Sequence, residues 1–412
     1  MKILVLNSGS SSLKCCLYEI GETLPSAVPK ALWEWAVDWT HRAGLAEITL
    51  KTAHGAALKS ETTAQTQTEV MGYMLEQLCQ GETQAIAQLS EIDVVGHRVV
   101  HGGTQYRESE RVTAEVKQAI ADLACFAPLH NPINLEGIET IEQILGDVPQ
   151  VAVFDTAFHR QIPLAATVYP GPYAWYEQGI QRYGFHGISH QYCAERAAQL
   201  LERPLDDLRL IVCHLGNGCS VSAIRHGHSV DTTMGFTPLE GLMMGTRSGS
   251  VDPGILIYLL RQAGYSPDQL EDILNRKSGL KGISGLSADM RQITEAAAAG
   301  NSRAQLAFDL FIHRLRASIG AVLLSLDRLD ALIFTAGIGE NSALVRAAAC
   351  DALDVWGIKL DSQLNDASPV DQDIAHAESR SRVLVIHTQE DWAIAQDCWR
   401  ILSPGSIGAV ER

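Results

Sequence analysis

The chain has 412 residues, 46% of them apolar and 19% charged, with a formal net charge of −16. That length exceeds what one core fills, so two α/β domains are expected. The acidic excess argues against nucleic acid or an anionic membrane surface as partner. No apolar run is long enough to span a membrane, and the amino terminus reads as a strand rather than a signal peptide. The nine cysteines are an odd number without a Cys-x-x-Cys pair. They read as small hydrophobes of a reducing, cytoplasmic compartment, not as disulfides or a metal cage.

Residues 2–6 (KILVL) are a short aliphatic run that stops at NSGSSSLK, and residues 13–20 read as a returning strand. The first element is therefore a hairpin around a Ser-rich turn. A P-loop would end in Gly-Lys-Ser/Thr and enter a helix, and a dinucleotide loop would read Gly-x-Gly-x-x-Gly; neither pattern is present. Residues 31–39 and 46–50 extend the sheet. Residues 69–80 and 114–123 place apolar side chains three and four apart, the helical period. Residues 151–154 form a buried-type strand ending at Asp155, and a domain boundary is expected between 150 and 151. At 210–224 the strand, glycine turn and strand recur as LIVCH-LGNGCSV, followed by a strand at 229–233. Helices are expected at 253–263, 266–275 and 301–326, the last with an apolar stripe through Leu306, Phe311, Leu315, Ile319 and Leu323. A third run, ALIFT into AGIGENS, spans 331–342. A helix follows Asn341, residues 361–382 read as loop, 383–387 as strand and 390–401 as a closing helix. Three strands that each enter a Gly-Ser-Asn turn suit a nucleotide's phosphates, because small residues let backbone N–H groups close on an anion. The same residues are also ordinary turn punctuation.

Phosphoryl transfer asks a protein for positive charge, in-line placement and a metal on the nucleotide. Arg98 in GHRVVHGG and Arg247 in MMGTRSGS are framed by small residues that let a planar guanidinium reach a phosphate or carboxylate; the alternative for each is a salt-bridged arginine. His186 in RYGFHGISH is a candidate stabiliser of a transferring group. His130 in APLHNP and His214 in CHLGNG are similar, and a hydrogen-bonded core histidine is the alternative in each case. His97, His101 and His190 read as such core residues. Asp155 and Glu390 each follow a strand's carboxyl end, where α/β folds bind ligands; a capping carboxylate is the alternative. Asn7 is the first polar residue after the first strand, and Lys14 the cation beside its turn.

Taken in order, NSGSSSLK, GHRVVHGG, PLHNP, FDTAFH, RYGFHGISH, HLGNGCSV, DTTMGFTPLEGLMMGTRSG and FTAGIGENS resemble the acetate kinase family across essentially the whole chain. The resemblance implies an α/β fold of two duplicated ribonuclease H-like, actin-like ATPase domains hinged around a nucleotide cleft. Residues 1–150, with 386–412 packing back, would form one domain. Residues 151–385 would form the other, carrying the adenosine loops and the interface of a homodimer. It implies reversible transfer of a phosphoryl group from ATP to acetate, giving acetyl phosphate and ADP, with magnesium (or manganese) as the metal. Arg98, Arg247, His186 and Asp155 correspond to the catalytic set, and Asn7 and Glu390 to the metal pair. Ser10, Ser12 and Lys14, with His214, Asn217 and Gly218, match the phosphate loops. Asp289, Arg291, Gly337, Ile338 and Asn341 match the adenosine side. Val100, Leu129, His130, Phe185 and Pro238, with Arg98, match the substrate pocket. Four positions depart from the family pattern: Gln389 and Asp391 in a run the family reads as Asn-Glu-Glu and this chain as Gln389-Glu390-Asp391, Met290 in place of Phe beside the adenine, and Ser250 in place of Asp after TRSG. A kinase for propionate or another short acid is the nearest alternative, since one methylene changes pocket binding by only about 1–3 kcal/mol. A non-enzymatic actin-like or chaperone-like ATP switch is a distant one.

Overall fold

The structure is a computed structural model that describes all residues except 9–11, 43–44, 64–65, 129 and 404–412. Its contacts divide the chain into two units, Met1–Ala157 with Gln389–Arg412, and Phe158–Thr388.

The first unit is built on an eight-stranded sheet of β1 (Lys2–Ser8), β2 (Ser12–Glu19), β3 (Trp33–Arg42), β4 (Leu45–Thr52), β5 (Ala57–Thr62), β6 (Val94–Val99), β7 (Glu110–Arg111) and β8 (Gln150–Phe154), in the order β5-β4-β3-β2-β1-β6-β8-β7. β1 and β2 form the expected hairpin, with Asn7 opposite Lys14. β4 alternates buried and exposed side chains along its length, the period of a half-buried strand. β8, expected to open the second domain, runs parallel to β6 in this sheet instead. All five of its residues are buried, which is the pattern of a strand covered on both faces. Helix α1 (Gln67–Cys79) starts at a Thr66–Glu69 capping box. Its Val70, Met71 and Met74 join Leu4, Leu6, Trp33, Trp35 and Ile48 in the main core. The neighbouring helices are α2 (Ala114–Asp122) and α3 (Asn131–Leu145). The C-terminal helix Glu390–Leu402 lies on the opposite face of the sheet. It is so close to β6 that a Cβ on Gly96 would sit 2.6 Å from Cys398 Sγ and from Ile394 Cγ2. Tyr18 and Trp392 meet there edge to face at 5.4 Å.

The second unit has a six-stranded sheet of β9 (Arg209–Leu215), β10 (Cys219–Arg225), β11 (His228–Thr232), β12 (Ala331–Thr335), β13 (Gln372–Asp373) and β14 (Arg382–Val385), ordered β11-β10-β9-β12-β14-β13. Strand for strand this repeats β3-β2-β1-β6-β8-β7: an antiparallel meander, two parallel strands added beside its first strand, and a two-residue antiparallel edge. Among its helices are α4 (Gly187–Leu200), α5 (Pro253–Gln262), α6 (Pro267–Arg276), α7 (Met290–Ala298), α8 (Ser302–Leu323), α9 (Ala336–Asn341) and α10 (Ala343–Asp351).

Three expectations need correction. The AGIGENS segment is the short helix α9 rather than a loop. Ala336 enters it with φ +64°, a left-handed geometry uncommon for a residue other than glycine. Residues 361–382 are not all loop: Asp361 caps a helix at Ser362–Asp366, and β13 adds to the sheet edge. In α8 the buried stripe runs through Ala304, Ala307, Phe311, Leu315, Ile319 and Leu323, while Leu306 is 57% exposed. Small Ala residues hold the core face of the first turns, and Leu306 sits about 100° away from Ala307 around the axis. Among the described residues no helix is long and apolar enough to cross a membrane.

Candidate active site

In the first unit the candidate residues gather at the carboxyl ends of the parallel strands β1, β6 and β8. Arg98 comes from β6 and Asp155 follows β8. They form an ion pair, Nη2 to Oδ2 at 2.5 Å, with the Asp155 side chain 1% exposed. Burial opposes the guanidinium's charge, but Asp155, Glu390 and Asp391 more than offset it and raise the Arg98 pKa. Arg98 Nε is buried without a hydrogen-bond partner among the described residues. Asn7, at the end of β1, donates from Nδ2 to Glu390 Oε2 (3.3 Å) and to Asp391 Oδ1 (3.2 Å). Burial pushes the Asp391 carboxyl up, against Lys14 and Asn7, which pull it down. This Asn-Glu-Asp set consists of hard oxygen donors, which suits a small divalent cation that keeps most of its own waters. Among the described residues no group of three or more His, Cys, Asp or Glu is placed to hold a metal by itself. The donor set therefore fits magnesium carried in with a nucleotide better than a closed protein cage.

Val100 is buried, and its N–H donates to Asn134 Oδ1 (3.1 Å), while Asn134 Nδ2 donates to the Ser8 carbonyl. Asn131 Oδ1 accepts from His101 N, and Asn131 Nδ2 donates to the His101 and Ile120 carbonyls. The two asparagines thus pin the exit of β6, and Asn134 also holds the end of β1. The sequence reading missed both; their signal was the Asn-x-x-Asn spacing in HNPIN, which aims two amides from one helical turn. His130 is the N-cap residue of α3 and half-buried. Ser12 opens β2. Ser10 and Leu129 lie outside the described residues.

In the second unit the candidates converge on the turn between β9 and β10. His186 sits at φ +56° just before α4, which turns its ring back toward the sheet. Its Nδ1 lies 2.9 Å from Ser220 Oγ, and its ring stacks on His214 with centroids 4.1 Å apart. His214 Nδ1 lies 2.8 Å from Ser189 Oγ. Arg247 Nη1 donates to the Pro238 carbonyl at 2.6 Å. A Cβ on Gly218 would lie 2.7 Å from Arg247 Nη2 and 3.2 Å from His186 Nε2. The absence of that side chain leaves room at the turn beside a guanidinium and an imidazole, an arrangement that can bind a phosphoryl group. Asn217 is exposed on the same turn and its carbonyl accepts from Gly245 N. Phe185 is buried, its carbonyl 3.0 Å from His159 Nε2.

The loop carrying Pro238 is tied down by Glu240, which accepts from Arg182 Nη2 at 2.9 Å and from the Tyr169 hydroxyl. That hydroxyl also accepts from Phe236 N. Ser250 replaces a lost charge with local bonding: its Oγ accepts from Gly241 N and its N–H donates to Gly241 O, both at 3.0 Å. Asp289 is the N-cap of α7 and is ion-paired with Arg291, whose side chain is 85% exposed. Met290 is buried beside them. In α9 Gly337 is exposed, Ile338 half-buried, and Asn341 Nδ2 donates to the Gly337 carbonyl. Beneath this helix the buried Arg346 donates to the Gly339 and Glu340 carbonyls.

Comparison with known proteins identifies the family. The family model described as the acetokinase family matches residues 2–396. A curated acetate kinase of Cyanothece sp. (strain PCC 7425 / ATCC 29141) is 63% identical over 406 residues, covering 98% of this chain and 100% of that one. The crystal structure of Porphyromonas gingivalis acetate kinase superposes with a TM-score of 0.87 at 38% identity, covering 97% of this chain and 99% of that one. A propionate kinase from Francisella tularensis subsp. tularensis SCHU S4 gives 0.87 at 37%, covering 96% and 98%. With its two repeated sheets and its mixed α/β architecture of the actin-like ATPase type, the chain belongs to the acetokinase family.

Proposed function

We propose that this chain transfers the terminal phosphoryl group of ATP to acetate, reversibly, forming acetyl phosphate and ADP by direct in-line displacement. The observation that carries the chemistry is the convergence of Arg247 Nη2 and His186 Nε2 on Gly218. The acetate kinases at 58–63% identity carry the choice of acceptor.

Acetate is ionised at neutral pH, so its oxygen needs no base to attack phosphorus. The obstacle is the approach of one anion to another. Arg247 and His186 would spread positive charge and hydrogen bonds over the equatorial phosphoryl oxygens. Arg98, held by Asp155, would orient the acetate carboxylate with a guanidinium that cannot lose its proton. Val100, His130, Phe185, Pro238 and Leu129 would enclose its methyl group. Ser10, Ser12, Lys14, His214, Asn217 and Gly218 would take the nucleotide phosphates, and Asp289, Arg291, Gly337, Ile338 and Asn341 its adenosine. Asn7 and Glu390 would hold magnesium, or manganese in its place; bound with the nucleotide, the metal neutralises phosphate charge. We place the enzyme in the cytoplasm, a setting supported by nine free thiols. We assign it a homodimer through α5, none of whose residues is buried although Ile255, Ile257, Tyr258 and Leu260 are apolar.

The test is an acyl hydroxamate assay with acetate, propionate and butyrate. The highest kcat/KM is expected on acetate, with propionate second. A higher value on propionate would move the chain to the second reading, which the Francisella structure favours. Absence of acyl phosphate with all three would remove the kinase assignment.

A further inference from the structure

Ser220, on β10, has one hydroxyl proton and two histidine neighbours. Its Oγ lies 2.9 Å from His186 Nδ1 and 2.7 Å from His190 Nε2. Ser220 and His190 are fully buried, and His190 Nδ1 has no hydrogen-bond partner among the described residues. A buried N–H without an acceptor is costly. Of the two nitrogens of His190, only Nε2 has an acceptor, so the ring's proton belongs there. Burial, with His159 and His214 beside it, pushes the pKa of His190 well below the ordinary value and keeps the ring neutral.

His190 Nε2–H donates to Ser220 Oγ. The serine then has its own O–H to give, and the atom placed to accept it is His186 Nδ1. A His186 nitrogen that accepts carries no proton, so the proton of that ring is on Nε2. Nε2 is the ring atom nearest Gly218, 3.2 Å from the Cβ position that glycine leaves empty, and Arg247 Nη2 lies 2.7 Å from the same position. The groups facing His186 include Ser220 from β10, His190 from α4 and His214 from β9, with Arg247 across Gly218.

From this chain of donors we infer that His190, acting through Ser220, is a positioning residue that fixes His186 in the Nε2–H form, so that His186 meets the transferring phosphoryl as a hydrogen-bond donor. This deepens the assignment of His186 above and rests on it. With the opposite order of protons His186 would present a lone pair to a phosphoryl oxygen and repel it.

The test begins without catalysis. Nitrogen-15 spectra of the full-length protein labelled in histidine, with His186 assigned by subtraction of His186→Asn, should show a protonated Nε2 and an unprotonated Nδ1 at pH 7.5. A protonated Nδ1 on His186 overturns the inference whatever the enzyme's activity. Ser220→Ala should lower kcat about tenfold, the scale of losing an outer-shell partner of a functional histidine, with KM for both substrates changed less than about twofold. It should also give a mixture of tautomers at His186. Ser220→Thr, which keeps the hydroxyl, should recover most of the turnover and the single tautomer. Ser220→Ala with unchanged kcat overturns the inference. If instead His186→Asn itself turns over normally, the role assigned to His186 fails, while the tautomer measured in the wild-type protein still judges the relay.

Discussion

The rings of His186 and His214 stack with planes 19° from parallel, and each is tied at Nδ1 to a different serine, Ser220 and Ser189. Neither ring can turn without losing a hydrogen bond and its stacking partner. The two Nε2 atoms therefore keep their direction toward the turn of Gly216 and Gly218, 3.9 Å and 3.2 Å from the Cβ positions those glycines leave empty. A site that must meet charge appearing only in a transition state benefits from donors that need no reorientation.

Arg247→Ala should lower kcat about a hundredfold or more, the scale for removing a donor that acts on developing charge. Gly218→Ala should act in the same direction without removing any charge, because its new methyl occupies the space between Arg247 Nη2 and His186 Nε2. Steady-state kinetics in both directions checks the pair. Near-normal turnover in Arg247→Ala would take Arg247 out of the chemistry.

Asp155→Asn should destabilise the first unit, since it removes the buried carboxylate paired with the largely buried Arg98 guanidinium. Breaking one side of such a pair costs on the order of 3 kcal/mol. Replacing both, Arg98→Met with Asp155→Leu, should recover much of the lost stability but none of the activity. Thermal midpoints and hydroxamate formation, measured on the same preparations, separate the two effects. Recovery of activity in the double variant would contradict the role given to Arg98.

Acid should unfold the protein through its interior histidines. His97, His101 and His159 are neutral and buried, and desolvation lowers each from 6.5 to about 4. In the unfolded chain each titrates near 6.5, so between these values the unfolded state binds more protons. Stability is then full above pH 6.5 and falls as pH drops toward 4, by on the order of 3 kcal/mol per histidine. His97→Gln, which keeps a partner for the Gln150 side chain 2.7 Å away, should reduce proton uptake on unfolding at pH 5 by about one. Denaturant midpoints at pH 7.5, 5.5 and 4.5 provide the measurement, and a flat profile would refute it.

The outer face of α5 should join two copies of the chain. Ile257 and Tyr258 are 52% and 61% exposed. Changing both to Asp should convert a particle of twice 44.7 kDa to one of that mass in light scattering, with the second unit still folded by circular dichroism. A mass unchanged by the double substitution would place the interface elsewhere.

Much of the fold was legible because its strands are short, apolar and closed by small residues. The hairpin of β1 and β2, the recurrence at β9 and β10, and helices α1, α5 and α8 all follow from such patterns. α3 and α4 escaped because His-Asn-Pro and Phe-His-Gly look like turn residues. In both cases they lead into the first turn of a helix, with a histidine at the N-cap. Leu306 misled because periodicity finds a stripe but does not say which neighbouring phase meets the core. Among the candidate site residues, Arg98, His186 and Arg247 stood out by the small residues framing them, and Asp155 and Glu390 by following a strand. Ser220, His190, Asn131 and Asn134 did not, since they act by holding other groups and a sequence shows no partner.

The C-terminal helix lies directly against Gly96 in the sheet of the first unit. A ribosome releases that helix only after the whole of the second unit. The β6 surface it covers, emerging some three hundred residues earlier, must wait uncapped, whereas residues 158–388 leave the exit tunnel as one uninterrupted stretch. The unit made first is therefore the one finished last, and a nascent chain stalled before Gln389 would hold a complete second sheet beside a first one still open to chaperones.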